Sequence, residues 1–360
     1  MQRICGSLAA AGYRVQLVGW QRPGSPPLAP QPYQQHRLRG WFQRGKLFYL
    51  EYNLRLLLYL LGQRAAAWCA CDLDTALPVW LRARLGGQPF IYDARELFAE
   101  VPEVVARPAV QRIWRWVEGF VVPRARLAYT VGPALARVFE ARYGRPFAVV
   151  RNVSRLRAAE PLPPAPAAAP PGGYILYQGA LNVGRGLEQL LDAMPHVQGR
   201  LVICGEGDLS ADLRTRAGRL GLLAAGPDAV GKVEFRGFVL PEALREVTRH
   251  AAVGIMLLEN VGLSYYYSLA NKFFDYVHAG IPQVLINFPE YRALNEQFDV
   301  AELVADLAPA TLAAALNRLL RDEPARYQHL AANCRRAAPQ LSWQHEERTL
   351  LALYQGVVPR

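Results

Sequence analysis

Short apolar runs alternate with segments of helical spacing along most of the chain. Runs of this length are typical of buried strands in a parallel sheet, and apolar residues three and four positions apart are typical of helices packed on one. In the first half the pattern predicts strands at residues 13–18, 68–71, 89–92, 127–131 and 147–150. In the second half it predicts strands at residues 174–177, 201–204, 233–235, 253–258 and 284–286. We therefore expect an α/β protein with two doubly wound, Rossmann-like domains that face each other across a cleft.

A helix comes before the first predicted strand. Residues 2–12 have helical spacing and end at a glycine, whereas a doubly wound domain normally opens on a strand. The first domain is therefore expected to lack its first strand, which would leave one sheet edge unpaired or rearranged. Residues 21–36 are rich in proline and predict a loop.

Other segments predict helices. Residues 47–61 are strongly apolar, and we favour a crossover helix packed on the sheet over a membrane-touching surface. Trp114 and Trp116 lie on a further predicted helix, where we expect them in the core. Further helices are predicted at residues 310–320, 325–338 and 345–354.

Residues 159–173 divide the chain. They consist almost wholly of alanine, proline and glycine, a composition that cannot build a core and gives a semi-rigid spacer. The predicted domains are residues 1–158 and residues 174–340. The C-terminal helix in residues 341–360 can return to the first domain.

Positive charge is concentrated in the first half. The net charge of +11 divides into 23 Lys+Arg against 10 Asp+Glu in residues 1–160, or +13, and 18 against 20 in residues 161–360, or −2. A basic half suits an anionic surface, so peripheral contact with an anionic membrane is kept as a hypothesis. Nucleic acid is disfavoured, because the arginines are scattered through apolar periodic segments and no recognised binding module occurs.

The five cysteines form no CxxC pair, and no histidines stand at ligand spacing. This pattern argues against a disulfide framework and a structural zinc site, and fits a reducing compartment. No stretch has the pattern of a signal peptide or a membrane span, so the expected location is the cytoplasm, with the inner face of the membrane as the peripheral alternative.

The segment from Ser268 to Pro282 joins two predicted strands through a short helix. Ser268 is the predicted N-cap, and a glycine and a proline end the helix. Asn271, Lys272 and Asp275 fall in the first two turns, at the sheet edge where parallel α/β proteins bind ligands. The lysine ammonium group suits a phosphate, and the aspartate carboxylate suits a sugar hydroxyl. The alternative without a ligand is that the two side chains form a solvated ion pair on an ordinary crossover helix.

Glycine-bearing turns follow three other strands at the same predicted edge. Backbone without side chains can approach a diphosphate closely, an arginine can add a charge-assisted bond, and an aromatic ring can line a base. Because no GxGxxG pattern occurs, a nicotinamide cofactor is disfavoured. The candidate binding residues in these turns are Gly179, Arg185, Gly186, Gly205, Gly207, Gly237, Phe238 and Val239.

The residues of the helix and the glycine turns together resemble those of a known family. The segment Ser-Leu-Ala-Asn-Lys-Phe-Phe-Asp-Tyr from Ser268, followed by Gly-Ile-Pro, is similar to the Ser-Leu-Pro-Asn-Lys-x-Phe-Glu-Tyr helix of family 4 glycosyltransferases, which have the GT-B fold. Gly179 with Arg185-Gly186, and Gly205-Glu-Gly207, also match, and the resemblance covers nearly the whole chain. It implies sugar transfer with retention from a nucleotide-diphosphate donor, without a metal or other cofactor, to a saccharide or lipid-linked acceptor.

The resemblance also implies that residues 1–158 form the acceptor-side domain and residues 174–340 the nucleotide-sugar-binding domain. It implies roles for individual residues as well. Asp275 stands where the family has a glutamate on the ribose hydroxyls, Arg185 and Lys272 lie near the diphosphate, and residues 237–239 lie beside the base. The family's strand-end Asp-x-His motif, whose histidine contacts the donor sugar, corresponds to Asp93-Ala94-Arg95. Asp93 and Arg95 are therefore the candidate catalytic residues.

Arg95 differs from the family's histidine in its chemistry. Arginine stays protonated and cannot shuttle a proton near pH 7, although it can hold a hydroxyl or a diphosphate oxygen. A catalytically weakened nucleotide-sugar-binding protein is therefore one alternative to the transferase. A sugar-nucleotide epimerase, which shares the fold, is a second.

Overall fold

The computed structural model describes residues 1–156, 166–170, 172–224 and 231–358. Most of the predicted linker, residues 159–165 and 171, lies outside the described residues. The chain forms two compact units, one of Met1–Asn152 with Trp343–Arg360 and one of Val153–Ser342. The boundary therefore lies upstream of the predicted linker, and the C-terminal segment belongs to the first unit.

The first unit contains two parallel sheets. A four-stranded sheet has the order β3-β4-β5-β6, and β1 and β2 pair with each other in a separate two-stranded sheet. The strands are β1 Gln16–Trp20, β2 Gln34–Leu38, β3 Trp68–Cys71, β4 Phe90–Ala94, β5 Leu127–Thr130 and β6 Ala148–Val149.

Helices of the first unit come from both ends of its sequence. The first and last helices, α1 and α15, meet in a core cluster that includes Ile4, Leu8, Trp343 and Leu350. The helices are α1 Gln2–Ala10, α2 Gly45–Leu61, α3 Ala76–Gly86, α4 Pro102–Val105, α5 Pro108–Val121, α6 Pro133–Tyr143 and α15 Trp343–Gln355. The first unit is thus completed by residues from the end of the chain.

The second unit is built on a six-stranded parallel sheet of order β12-β11-β10-β7-β8-β9. Four of its strands, β7, β8, β10 and β11, are almost entirely buried apolar runs, as expected when helices cover both faces of a sheet. The strands are β7 Tyr174–Gln178, β8 Arg200–Cys204, β9 Val233–Gly237, β10 Ala251–Met256, β11 Gln283–Ile286 and β12 Ala301–Val304. The order reverses direction between β7 and β10, which is where doubly wound sheets bind their ligands.

The second unit's helices connect these strands or follow the last of them. They are α7 Leu187–Ala193, α8 Ser210–Arg219, α9 Pro241–Arg249, α10 Leu263–Tyr266, α11 Asn271–Ala279, α12 Pro289–Phe298, α13 Pro309–Asn317 and α14 Pro324–Ala337. Helix α11 ends where the sequence predicts, because Gly280 takes a left-handed conformation with φ 72°. The α/β fold with two Rossmann-like units is confirmed.

Two sequence-based expectations are wrong in the first unit. Residues 34–36 are not a loop but part of β2, whose polar sequence Gln-Gln-His-Arg-Leu hides it from a hydrophobic pattern. Trp116 is not in the core, because 64% of its surface is exposed. It stacks on Phe120 at the surface of α5.

Candidate functional site

The turns after three neighbouring strands of the second unit are joined by backbone hydrogen bonds. The Gly179 N–H, after β7, donates to the Cys204 carbonyl at 2.9 Å, and the Gly205 N–H, after β8, donates to the Gly237 carbonyl at 2.7 Å. These bonds bring the predicted glycine turns together at the carboxyl edge of the sheet.

Glycine is required where these turns approach each other. Gly179 and Gly205 have φ values of 135° and 147°, and a Cβ atom at Gly205 would collide with the Gly179 carbonyl. A Cβ atom at Gly207 would collide with the Leu181 carbonyl. The turns therefore expose backbone rather than side chains, which lets a ligand approach the main chain closely.

Lys272 reaches this surface from the first turn of α11. Its side chain is buried, and its Nζ lies 3.8 Å from the centre of the Tyr177 ring. A Cβ atom at Gly179 would lie 3.3 Å from the same Nζ, so the amine stands directly against the first glycine turn. Burial and the nearby Arg185 charge lower the pKa of Lys272 well below its usual value.

Arg185 is the second cation of the cluster. Its guanidinium carbon lies 4.9 Å from the centre of the Tyr265 ring, and its buried Nε has no hydrogen-bond partner in the described residues. Gly186, which follows it, has φ 64° and is the N-cap residue of α7; a side chain there would collide with Leu257. Across the described ranges, neither Arg185 nor Lys272 forms an ion pair, so the cluster is suited to an anion.

Asp275 lies one turn further along α11 and is held by the second unit itself. Its two carboxylate oxygens accept hydrogen bonds from Ser154 Oγ at 3.0 Å and Gln178 Nε2 at 3.1 Å. The Thr248 hydroxyl shares its proton between the Gln178 amide oxygen, at 2.8 Å, and the Leu244 carbonyl, at 2.7 Å. Sequence reasoning missed Gln178 and Ser154; the position of Gln178 at the end of β7 was the available signal.

The start of α11 differs from the prediction. Ser268 is not the N-cap: the helix begins at Asn271, Ala270 precedes it, and no side chain caps the first turn in the described structure. The Ala270 N–H instead donates to the Tyr291 hydroxyl at 3.2 Å. Asn271 is exposed, so its amide and the uncapped first turn are accessible to a ligand.

Phe238 extends from the turn after β9. The residue is 76% exposed, so it does not belong to the core. Val239 beside it is half-buried and packs against a small core cluster, and Gly237 has φ 66°. The exposed ring is therefore free to stack on a planar ligand.

The candidate catalytic pair lies in the first unit. Asp93, in β4, is 2% exposed, and its carboxylate accepts a hydrogen bond from the Arg95 guanidinium at 3.3 Å. Burial raises the pKa of Asp93, although Arg95 opposes this effect. Burial alone would lower the pKa of Arg95, but Asp93 and its other neighbours raise it, so the guanidinium stays charged. The buried Asp93 carboxylate therefore holds the Arg95 side chain in place through this hydrogen bond.

Asp72, at the end of β3, is a further member of this group. It has φ 61°, unusual for a residue other than glycine, and its carboxylate accepts the Arg95 N–H at 2.8 Å. Burial raises the pKa of Asp72 to about 8 and that of Asp74 to about 6. The sequence places both carboxylates at a strand end, but it does not reveal the strained backbone or the bond to Arg95.

Metal ligands are not grouped in the described residues: no set of three or more His, Cys, Asp or Glu side chains there is arranged to hold an ion.

Comparison with known families matches residues 172–322 to the family described as glycosyl transferases group 1. Comparison of the sequence with curated proteins gives no match. The matched segment contains the glycine turns, Arg185 and the α11 residues described above.

Solved structures extend the likeness to the whole chain. Sucrose-phosphate synthase from Thermosynechococcus elongatus superposes with a TM-score of 0.77 at 19% identity, covering 98% of this chain and 91% of that chain. The chain has a family 4-like glycosyltransferase fold.

Two other glycosyltransferase-fold structures agree. HepE from Anabaena, in complex with UDP-glucose, has a TM-score of 0.70 at 13% identity, with 95% of this chain and 99% of that chain covered. WaaG, a glycosyltransferase involved in lipopolysaccharide biosynthesis, has a TM-score of 0.70 at 14% identity, with coverages of 99% and 95%. At these identities the structural likeness establishes the glycosyltransferase fold alone.

Proposed function

We propose that the protein is a glycosyltransferase that moves a sugar, with retention, from a nucleotide-diphosphate donor to a saccharide or lipid-linked acceptor. The observation that carries this proposal is the Arg185–Lys272 cluster. Two neighbouring cations without an ion-pair partner in the described structure, one of them buried, are unfavourable until an anion joins them. A diphosphate is an anion of suitable charge.

The surrounding groups support a nucleotide in a defined orientation. The diphosphate would lie against the Gly179 and Gly205 turns, where backbone approaches closely, with Asn271 at the uncapped start of α11. Asp275 would exchange its bond to Ser154 or Gln178 for the ribose hydroxyls, and the exposed Phe238 would stack on the base.

Catalysis would depend mainly on stabilising the leaving group. Negative charge grows on the diphosphate as the glycosidic bond breaks, so Arg185 and protonated Lys272 would bind the transition state more strongly than the donor. Arg95 of the first unit is the proposed contact to the sugar or acceptor, as a positive charge that the buried Asp93 holds in place.

A binding experiment tests the nucleotide site. UDP is the first probe, because the fold relative HepE is in complex with UDP-glucose. We expect UDP to raise the melting temperature, and Lys272→Ala to weaken UDP binding by roughly tenfold or more, the effect of losing a charge-assisted bond. Lys232→Ala is the matched control, since Lys232 stands before β9 at the opposite end of the strand. If Lys272→Ala and Lys232→Ala bind UDP, GDP and ADP with equal affinity to each other, the proposed nucleotide site is refuted.

A specific observation favours the weakened binding protein as a second candidate: Arg95 is paired with Asp93 and stays charged. Donor turnover, measured with and without acceptors, separates the candidates. Sugar transfer by the natural chain supports the transferase, whereas UDP-sugar binding without turnover, with turnover gained in Arg95→His, supports the second candidate. A changed sugar with no acceptor product identifies an epimerase.

A further inference from the structure

Helix α2 has two apolar faces, and the protein covers one of them. Four side chains spaced four residues apart are buried, and Trp20 contacts two of them, Phe48 and Tyr52, edge to face. The buried side chains are Phe48, Tyr52, Leu56 and Leu60. This face anchors the helix to the first unit, as the crossover-helix interpretation requires.

The opposite face of α2 is a continuous row of exposed leucines. Their spacing of three and four residues places them on one side of the helix, turned away from the buried face. Each is between 49% and 67% exposed. We call these residues the leucine face: Leu47, Leu50, Leu54, Leu58 and Leu61.

Two aromatic residues extend the leucine face. Trp41 is 83% exposed and Phe42 is 41% exposed, just before the helix. The Glu51 carboxylate, on the helix, accepts both of their backbone N–H groups at 2.9 to 3.0 Å, and the Arg55 guanidinium lies over the Trp41 ring at 4.7 Å. Seven large apolar side chains are thus held at one surface, more than scattered exposure explains.

The charges around this surface have one sign. Residues 37–64 contain six Lys+Arg and one Asp+Glu, a balance of +5. That one acid is Glu51, which is engaged by the Trp41 and Phe42 backbone and by Arg55. Exposed cations lie before the helix, in its first turn and after it: Arg39, Arg44, Lys46 and Arg64.

We propose that the leucine face, with Trp41 and Phe42, docks on an anionic lipid bilayer. Leucines would enter the acyl region, tryptophan would lie at the interface, and the surrounding cations would meet lipid phosphates. The helix would lie in the plane of the surface, since its other face is packed on protein. No helix in the described residues is long and apolar enough to cross a membrane.

A second copy of the chain fits this surface less well. A twofold dimer would place the same patch against itself and bring two sets of cations together. Nucleic acid fits less well too, because leucines offer neither base stacking nor hydrogen bonds. A bilayer with negative headgroups satisfies both the apolar row and its basic border.

Vesicle sedimentation of the full chain tests the proposal. We expect binding to vesicles of phosphatidylcholine mixed with phosphatidylglycerol, weaker binding to phosphatidylcholine alone, and a decrease with salt. The double variant Leu50→Glu, Leu54→Glu should lose binding by about tenfold or more. Leu240→Glu is the matched control, because Leu240 in the second unit is 67% exposed, as is Leu50.

Charge variants complete the test. Arg44→Gln with Lys46→Gln should weaken binding to the anionic vesicles by about fivefold per charge and flatten the salt dependence. Unchanged UDP affinity in each variant shows that the second unit is intact. The proposal is overturned if the natural chain does not sediment with vesicles or if the double leucine variant binds equally well. A dimer in sedimentation velocity that this variant dissociates would assign the face to a second copy instead.

Discussion

Lys272 and Arg185 form a site that favours an anionic ligand but is electrostatically unfavourable without one. The buried amine of Lys272 has an aromatic ring and another cation as neighbours, and both burial and that cation favour its neutral form. An arriving diphosphate reverses the balance, because its negative charge stabilises the ammonium form. Binding and protonation at Lys272 are therefore coupled.

This coupling predicts proton uptake. In alkaline buffer UDP binding should take up as much as one proton, and the affinity should fall as pH rises through the lowered pKa of Lys272. Calorimetric titration in two buffers of different ionisation enthalpy measures the uptake. Lys272→Met should abolish it, whereas Lys232→Met should not; uptake that persists in Lys272→Met would assign the proton to another group.

Asp72 predicts a pH dependence of stability in the first unit. Because its pKa is raised from 3.8 to about 8, the folded state keeps a proton between about pH 4 and pH 8 that the unfolded state has lost. The contribution of Asp72 to the free energy of unfolding therefore falls as pH rises through this window. Asp72→Asn should gain stability over the natural chain from pH 5 to pH 9, measured by urea unfolding. A difference between Asp72→Asn and the natural chain that is independent of pH would contradict the prediction.

The positions of individual residues could be predicted from the sequence where one local segment determines them. The position of Lys272 and Asp275 on α11 follows from the helix and its glycine end. The partners of Asp275 do not, because Ser154 and Gln178 come from segments far away in sequence. The exposure of Phe238 also depends on what surrounds β9, which no local pattern records.

Helix α11 is positioned by its contact with the sheet. The Tyr276 hydroxyl donates to the Leu176 carbonyl at 2.9 Å, and the ring covers Gly254 of β10 so closely that a Cβ atom there would collide with it. The location of Lys272 and Asp275 thus depends on a glycine in a neighbouring strand.

Gly254→Ala should therefore destabilise the second unit by about 1–3 kcal/mol, the usual cost of overpacking. Because α11 must shift, UDP affinity should also fall. Gly218→Ala is the control: its Cβ atom would meet only Leu223, at 3.7 Å, and in helix α8 it should stabilise by about 0.5–1 kcal/mol. Urea unfolding and UDP titration of both variants provide the measurements. If Gly254→Ala has the stability and UDP affinity of the natural chain, the sheet accommodates the extra methyl group and the prediction is wrong.

Elements were predicted well where burial is complete. The predicted strand at residues 174–177 lies within β7, whose five residues are all buried. Strand β2 was missed because its polar side chains carry no such pattern, and its pairing with β1 depends on a partner distant in sequence. Helix α2 was predicted, but not that one apolar face would remain exposed.

For the whole molecule, the sequence predicted two Rossmann-like units and the glycosyltransferase fold. It did not reveal how firmly α15 completes the first unit. Trp343 is 1% exposed and donates from its indole to Ser7 Oγ at 2.8 Å. Glu346 accepts the Arg151 N–H and guanidinium, both at 2.9 Å. These contacts join residues nearly two hundred or more positions apart, beyond any local pattern.

Glu346→Ala should lower the free energy of unfolding of the first unit by about 2–4 kcal/mol, because it leaves the partly buried Arg151 without its counter-charge. Scanning calorimetry should show a lower transition temperature for this unit. UDP binding to the second unit should be unchanged. Glu103→Gln, at an exposed position of the first unit, should change neither quantity.

The divided first unit also has a consequence for synthesis on the ribosome. Residues 153–342 form a unit from one uninterrupted stretch, whereas Met1–Asn152 must wait for the α15 segment. At ordinary elongation rates the 190 intervening residues, 342 − 153 + 1, take roughly 10–40 s to translate. During that interval the nascent first half exposes the surfaces that α15 later covers, so the later-made unit can reach its native state before the earlier one.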